Sequence, residues 1–320
     1  MKLPALLSST FLLFILFFQF VGIAESQLSP SGPASDIVEI SSLQQEAEKG
    51  NVQAAYQLGW HYLTGRGISQ DFNQAAKWFK LSSQLGSADG EFGLGFLYEQ
   101  GKGVARDYSQ ALDLYTVAAK RGQSIAENNL GSMYQRGEGV ARDATVAARW
   151  YLASAEHGNV TAQCNLATLY LRGEGVARDY SQAATWFRAA AERGFAPAQE
   201  SLASLYYTGK GVPLDFGEAA KWTRRSAEQG LALAQVDLAY LYEQGKGVPL
   251  DYIAAYIWYK SAADQGEKQA QARLKTLSTV MNREQIKCAS TAAGQLHIPV
   301  SPKGEDSSSE IVGNAFTDPH

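Results

Sequence analysis

A glycine-bracketed turn recurs at a fixed interval along the chain, and it constrains the fold more than any other feature. The stretch GKGVARDYSQA begins at Gly101, and close copies begin at Gly137 and Gly173. With the more divergent copies included, the first glycine of the turn recurs every 36 residues, at Gly65, Gly101, Gly137, Gly173, Gly209 and Gly245. Internal periods of roughly 20–50 residues are typical of solenoids and propellers, in which one supersecondary unit is stacked many times.

Six complete repeats can be written in register between Asn51 and Gly266. They span residues 51–86, 87–122, 123–158, 159–194, 195–230 and 231–266. Every repeat ends on glycine, and so does the segment before the first repeat, at Gly50. Positions within each repeat are numbered 1 to 36, so that Asn51 is position 1 of the first repeat.

Each repeat predicts two helices joined by a tight turn. Position 4 is Ala except for one Gly, position 8 is always Leu, position 9 is Gly or Ala and position 12 is always Tyr, which places all four on one helical face. Glycine at position 15 closes this helix, and the Asp that always occupies position 21 caps the next one. The second helix has Ala at position 25, Trp or Leu at 28 and mostly Tyr or Phe at 29. Because one such hairpin cannot bury its apolar face alone, the repeats must stack.

This pattern resembles the Sel-1-like repeat family, a relative of the tetratricopeptide repeat. The family's Ala, Leu-Gly, Tyr, Gly-x-Gly-Val, Asp, Ala, Trp-Tyr, Ala-Ala and Gly positions are matched from Asn51 to Gly266. The resemblance implies an all-α fold, a right-handed α/α superhelical solenoid, which binds protein partners rather than catalysing a reaction. We therefore expect a non-enzymatic scaffold or adaptor, monomeric and without a cofactor.

The two ends of the chain differ from the repeats. Residues 36–50 predict an N-terminal half-repeat and residues 267–293 predict C-terminal capping helices, whereas 27–35 predict a flexible segment and 294–320 a disordered tail. Residues 1–26 predict a signal peptide, since Met-Lys is followed by an apolar run and by small residues at Ala24 and Ser26. Cleavage after Ala24 and an uncleaved membrane anchor remain alternatives to cleavage after Ser26. Export to the periplasm or the outside, or into the ER lumen of a eukaryote, is expected.

Charge and motifs argue against several other classes of function. The net charge of −4, with both signs mixed through each repeat, disfavours nucleic acid as a partner. Gly101-Lys102-Gly103 is not a phosphate loop, because that motif needs Ser or Thr after the Lys and a strand before it. The four histidines show no paired spacing, so no metal site is predicted, and Cys164 and Cys288 are not expected to form a disulfide.

An enzymatic alternative remains open from the resemblance. Some disulfide-rich secreted relatives have been linked to β-lactam binding, so a cell-wall-associated enzyme or enzyme accessory is the second hypothesis. This chain lacks paired cysteines and contains no Ser-x-x-Lys, the nucleophile pair of the usual serine mechanism. The sequence therefore favours the scaffold.

Four aromatic residues are the candidate partner-binding site. By analogy with the tetratricopeptide groove, positions 6 and 10 of each first helix face the concave side. In the first two repeats these positions are Tyr56, Trp60, Phe92 and Phe96. Exposed aromatic clusters are favoured recognition anchors. The alternative is that these rings pack under the 36–50 helix and seal the open end of the stack.

Overall fold

The structure, a computed structural model, describes residues 33–295, with side chains from 39 to 294. This part of the chain contains fifteen α-helices and no strand. The helices are α1 (Pro33–Glu48), α2 (Val52–Thr64), α3 (Phe72–Gln84), α4 (Ala88–Gln100), α5 (Tyr108–Lys120), α6 (Ser124–Arg136), α7 (Ala144–Glu156), α8 (Val160–Arg172), α9 (Tyr180–Glu192), α10 (Ala196–Thr208), α11 (Phe216–Glu228), α12 (Ala232–Gln244), α13 (Tyr252–Asp264), α14 (Lys268–Val280) and α15 (Arg283–Gln295). The predicted all-α fold, a solenoid of helical repeats, is confirmed.

The ends of the chain are described only in part. Helix α1 begins at Pro33, three residues before the predicted half-repeat, and α15 ends at Gln295. The predicted signal peptide, residues 1–26, and the tail beyond residue 295 lie outside the described residues. Between residues 33 and 295, every helix is too short or too polar to cross a membrane.

The described chain forms two compact units. The N-terminal unit comprises residues 33–166 and 174–177, and the C-terminal unit comprises 167–173 and 178–295. In the N-terminal unit, helices α1 to α7 pack in chain order, each against the next. In the C-terminal unit, α9 to α14 do the same, and α15 packs against α13. Each unit is therefore a stack of helical hairpins.

The aspartate at position 21 fixes both sides of the turn that it follows. In the third repeat, Oδ1 of Asp143 accepts hydrogen bonds from the backbone N–H groups of Thr145 and Val146 at 2.9 and 3.0 Å, which caps α7. The backbone N–H of Asp143 donates to the carbonyl oxygen of Tyr134 at position 12, at 2.9 Å. The same two contacts recur at Asp71, Asp107, Asp179, Asp215 and Asp251. One aspartate per repeat therefore both caps the second helix and ties it to the end of the first helix.

The second glycine of the turn, at position 17, joins one repeat to the one before it. Gly103 has φ +68°, and a Cβ at this residue would lie 2.1 Å from the carbonyl oxygen of Phe72, at the start of α3. Gly247 approaches the carbonyl oxygen of Phe216 in the same way, so that a Cβ would lie 1.8 Å from it. Both the left-handed backbone and the close approach require glycine. The turn is therefore a packing joint between repeats.

The ring at position 29 is a wedge between first helices. Phe79 is fully buried, and a Cβ at Gly59 or at Gly93 would lie 2.5 or 2.7 Å from its ring. Gly59 is position 9 of the same repeat and Gly93 is position 7 of the next one. Tyr115 and Tyr151 lie against the position 9 glycines of their own repeats. The small residues in the first helices are thus the space into which these rings fit.

Candidate partner-binding face

The four predicted aromatic residues divide into two buried and two half-buried side chains. Tyr56 is 9% exposed and Phe92 is 3% exposed, whereas Trp60 and Phe96 keep part of their surface open. The four rings therefore do not form one exposed patch. Only Trp60 and Phe96 offer aromatic surface to a partner, on α2 and α4, whose helices contact each other directly.

Tyr56 belongs to an aromatic cluster around the wedge residue Phe79. The ring centroids of Tyr56 and Phe79 are 6.0 Å apart, and those of Trp60 and Phe79 are 5.9 Å apart with an edge-on geometry. Tyr56 and Trp60 are also edge-on, at 6.3 Å. Burial raises the pKa of Tyr56 far above its usual value, and the negative charge of Asp89 adds to this shift. Tyr56 is thus a neutral core residue that supports Trp60 from beneath.

Phe92 plays the same part in the second repeat. Its ring stacks on that of Tyr115, with centroids 5.8 Å apart. The Tyr115 hydroxyl donates a hydrogen bond of 2.7 Å to Oε2 of Glu99, inside the protein. Burial raises the pKa of Tyr115 and also that of Glu99. Phe92 therefore contributes to packing, and the half-buried Phe96 lies one helical turn further along α4.

The N-terminal helix α1 packs against a different set of residues. Ala47 of α1 lies in a cluster with Ala54, Leu58 and Trp78, and this cluster does not include Tyr56. The rings that pack against Tyr56, Trp60 and Phe92 come instead from the second helices α3 and α5. The four aromatic side chains are thus packed by residues of the repeats themselves.

Two polar clusters lie where first helices end and the turns begin, at positions outside the repeated pattern. In the N-terminal unit, Nη2 of Arg136 lies 2.6 Å from Oε2 of Glu138 and 3.4 Å from Oε1 of Glu99. In the C-terminal unit, Nζ of Lys246 donates a hydrogen bond of 2.7 Å to the Tyr207 hydroxyl. In the sequence, these clusters correspond to charged residues at positions 14 and 16. Because the residues at these positions differ from repeat to repeat, the repeated pattern does not predict the clusters.

A second aromatic surface surrounds Lys246. Its Nζ lies 5.0 Å from the ring centroid of Tyr207 and 5.7 Å from that of Tyr240. The guanidinium group of Arg273 also lies 5.7 Å from the ring centroid of Tyr240. Tyr240 occupies position 10, as Trp60 and Phe96 do in the first two repeats. Tyrosine and arginine, which this surface presents beside Lys246, are enriched among the residues that dominate protein-binding surfaces.

Stacked hairpins of 36 residues, joined by Gly-x-Gly turns and packed around a ring at position 29 in five of the six repeats, define a helical-repeat protein. The Sel1 repeat model matches residues 52–87, 88–123, 124–159, 160–195, 196–231 and 232–267. The chain belongs to the Sel1 repeat family, as its motifs predicted. Proteins of this family are generally protein-interaction scaffolds, and the fold is typically non-enzymatic.

Solved structures with the same repeat are similar to this chain. A protective antigen present in uropathogenic Escherichia coli strains, displaying an SLR fold, is 34% identical, with a TM-score of 0.71 over 79% of this chain. The match covers 56% of that antigen's chain. A Sel1 repeat protein from Oxalobacter formigenes is 27% identical, with a TM-score of 0.61 over 72% of this chain and 96% of its own. No curated protein matches the chain.

Proposed function

We propose that this protein is an exported, non-catalytic scaffold that binds a protein partner on the first-helix face of its N-terminal unit. This face is the surface of α2 and α4 that bears Trp60 and Phe96. The observation that carries the proposal is the pair Trp60 and Phe96, half-buried rings at the same position of two first helices in contact. Trp60 and Phe96 both pack against the buried cluster that contains Tyr56 and Phe79, which holds the two anchors in place. Rigid, partly open rings on a packed base bind with little loss of side-chain entropy.

Binding is tested by comparing two double variants of the chain 27–320. Trp60→Ser with Phe96→Ser removes the proposed anchors, and Leu85→Ser with Val117→Ser removes apolar surface from the second-helix side, where each residue is 39% exposed. A protein captured by the wild type is purified, and its affinity for each variant is measured by calorimetry. We expect the first variant to bind at least about tenfold more weakly, since burying a large ring is worth roughly 1.5–3 kcal/mol. The second variant is expected to bind like the wild type.

The same variants distinguish binding from folding. Circular dichroism confirms that each variant is helical at the temperature of the binding measurement. Unchanged affinity of the Trp60/Phe96 variant would remove these residues from the interface. A collapse of its melting temperature, without a matching effect of Leu85→Ser and Val117→Ser, would make both rings structural.

Export is the second part of the proposal, and it rests on residues 1–26. We expect the mature chain to begin at Gln27, because small residues at Ala24 and Ser26 follow an apolar run of signal-peptide length. N-terminal sequencing of the protein from its native host checks this. A membrane-bound product that still begins with Met1 would replace the cleaved signal by an anchor.

A further inference from the structure

The fifth repeat lacks the aromatic wedge that the other five repeats share. Position 29 is Phe79, Tyr115, Tyr151, Phe187 and Tyr259 in those repeats, and Thr223 in the fifth. Thr223 is fully buried in α11, and its hydroxyl oxygen has no hydrogen-bond partner among the described residues. A small polar side chain therefore takes the place of a buried ring.

Two carboxyl groups occupy the positions that contact the wedge in other repeats. Position 6 contacts the wedge of its own repeat, as Phe92 contacts Tyr115, and position 7 contacts the wedge of the repeat before it, as Gly93 contacts Phe79. In the fifth and sixth repeats these positions are Glu200, on α10, and Asp237, on α12. The contacts of the other repeats therefore place three polar side chains, from three helices, around the position that a ring fills elsewhere.

The carboxyl groups are buried and face each other. Glu200 is 3% exposed and Asp237 is 1% exposed. All four carboxyl oxygens lack a hydrogen-bond donor among the described residues, yet the two groups are close enough to hydrogen-bond once one of them carries a proton. Burial raises the pKa of Glu200 and of Asp237, and the charge of Glu200 raises the pKa of Asp237 further.

The neighbouring helices bring no cation to this pair. Within the described C-terminal unit, Asp237 also acts on the buried hydroxyl of Tyr259, on α13, because its negative charge raises the pKa of Tyr259. On α11, Glu218 accepts hydrogen bonds from Lys221 and Trp222, and the other charged side chains are exposed: Lys221, Arg224, Arg225 and Glu228. On α9, Arg188 donates to the hydroxyl of Tyr206, and Glu192 is exposed. On α12 itself, Glu243 accepts from Tyr259 and faces Arg273 of α14.

We propose that Glu200 and Asp237 share one proton in the folded protein and act as a pH-sensitive lock between the fifth and sixth repeats. With one proton, the acid donates a hydrogen bond to the carboxylate, so that each group gains a partner and only one negative charge is buried. Without it, two negative charges are buried side by side with no compensation, and the contact between α10 and α12 loosens. The lock is closed in acid and opens as the pH rises.

The direction of the pH dependence follows from proton binding. In the unfolded chain, both carboxyl groups have their ordinary pKa values, which are about 4. In the folded protein the pair keeps a proton to higher pH, so the folded state binds more protons over the interval between. The stabilisation that the pair contributes to the folded state is therefore fully present below the pKa values of the unfolded chain. It is lost as the pH rises through the raised pKa values of the folded pair.

The test uses the full mature chain and matched neutral variants. Melting temperature and hydrogen exchange of α10 and α12 are measured between pH 5 and pH 8.5, with exchange corrected for its intrinsic pH dependence. Glu200→Gln and Asp237→Asn each remove one charge without changing shape, and Glu228→Gln removes an exposed charge from α11 as a control. We expect wild type and Glu228→Gln to melt lower at pH 8 than at pH 5.5, with exchange in α10 and α12 faster by about tenfold, the effect of one pKa unit. Glu200→Gln is expected to melt higher than wild type at pH 8 and to lose most of this dependence.

Two results would overturn the lock. One is a wild type whose α10 and α12 exchange equally at pH 5.5 and pH 8 after correction. The other is a wild type that Ca²⁺ or Mg²⁺ stabilises at pH 8 while Glu200→Gln does not respond, because the pair would then be a cation site. If Glu200→Gln does not fold, Asp237→Asn takes its place in both comparisons, and the pH dependence of exchange in the wild type still tests the lock.

Discussion

Leu130→Ala is expected to destabilise the N-terminal unit by about 2–5 kcal/mol, the usual cost of a large-to-small substitution in a packed core. Leu130 is position 8 of the third repeat and is fully buried. It lies in a core cluster with Phe92, Tyr115 and Met133, from helices α4, α5 and α6. Because these neighbours belong to two repeats, the cavity weakens both the hairpin and its contact with the preceding repeat.

The matched control for Leu130→Ala is Leu85→Ala. Leu85 is 39% exposed at the end of α3, so its truncation removes less buried surface and leaves no closed cavity. We expect a loss below about 1 kcal/mol. Urea unfolding followed by circular dichroism measures both. Equal losses for the two variants would show that position 8 is not the core position of the repeat.

Gly103→Ala is expected to cost about 2–5 kcal/mol, the second large effect. A left-handed residue other than glycine costs roughly 1–2 kcal/mol. The new methyl group would also lie 2.1 Å from the carbonyl oxygen of Phe72, so the two repeats must move apart, at a further cost of roughly 1–3 kcal/mol. The loss is thus larger than backbone strain alone explains.

Gly122→Ala separates the two contributions to the Gly103 effect. Gly122 has φ +81°, but a Cβ there would meet nothing within 4 Å. It carries the backbone cost without the clash, so we expect a loss of roughly 1–2 kcal/mol in the same unfolding experiment. If Gly103→Ala were no more harmful than Gly122→Ala, the turn would not be a joint between repeats.

The sequence predicted the hairpins well because their signals are local. The aspartate that caps each second helix and the glycine that ends each first helix act within a few residues, as Asp143 and Gly137 show. Repetition then confirmed each signal five more times. The family and the all-α solenoid followed from residues that contact their neighbours along the chain.

How deeply the four aromatic side chains are buried could not be predicted from such local signals. Tyr56 and Phe92 look like groove residues from their place in the first helix. They are buried because Phe79 and Tyr115, 23 residues further on, pack against them. That contact depends on how two helices cross, and helical periodicity alone does not contain it. For the same reason Thr223 stands out in the sequence, but its relation to Glu200 and Asp237 needs the fold.

The central claim, that the first-helix face of the N-terminal unit binds the partner, is tested most directly by oxidative footprinting of the complex. Side-chain labelling of Trp60 and Phe96 is compared with labelling of Leu85 and Val117, in the free protein and with the captured partner bound. We expect the partner to reduce labelling of Trp60 and Phe96 and to leave labelling of Leu85 and Val117 unchanged. Protection of Leu85 and Val117, with Trp60 and Phe96 labelled as in the free protein, would contradict it.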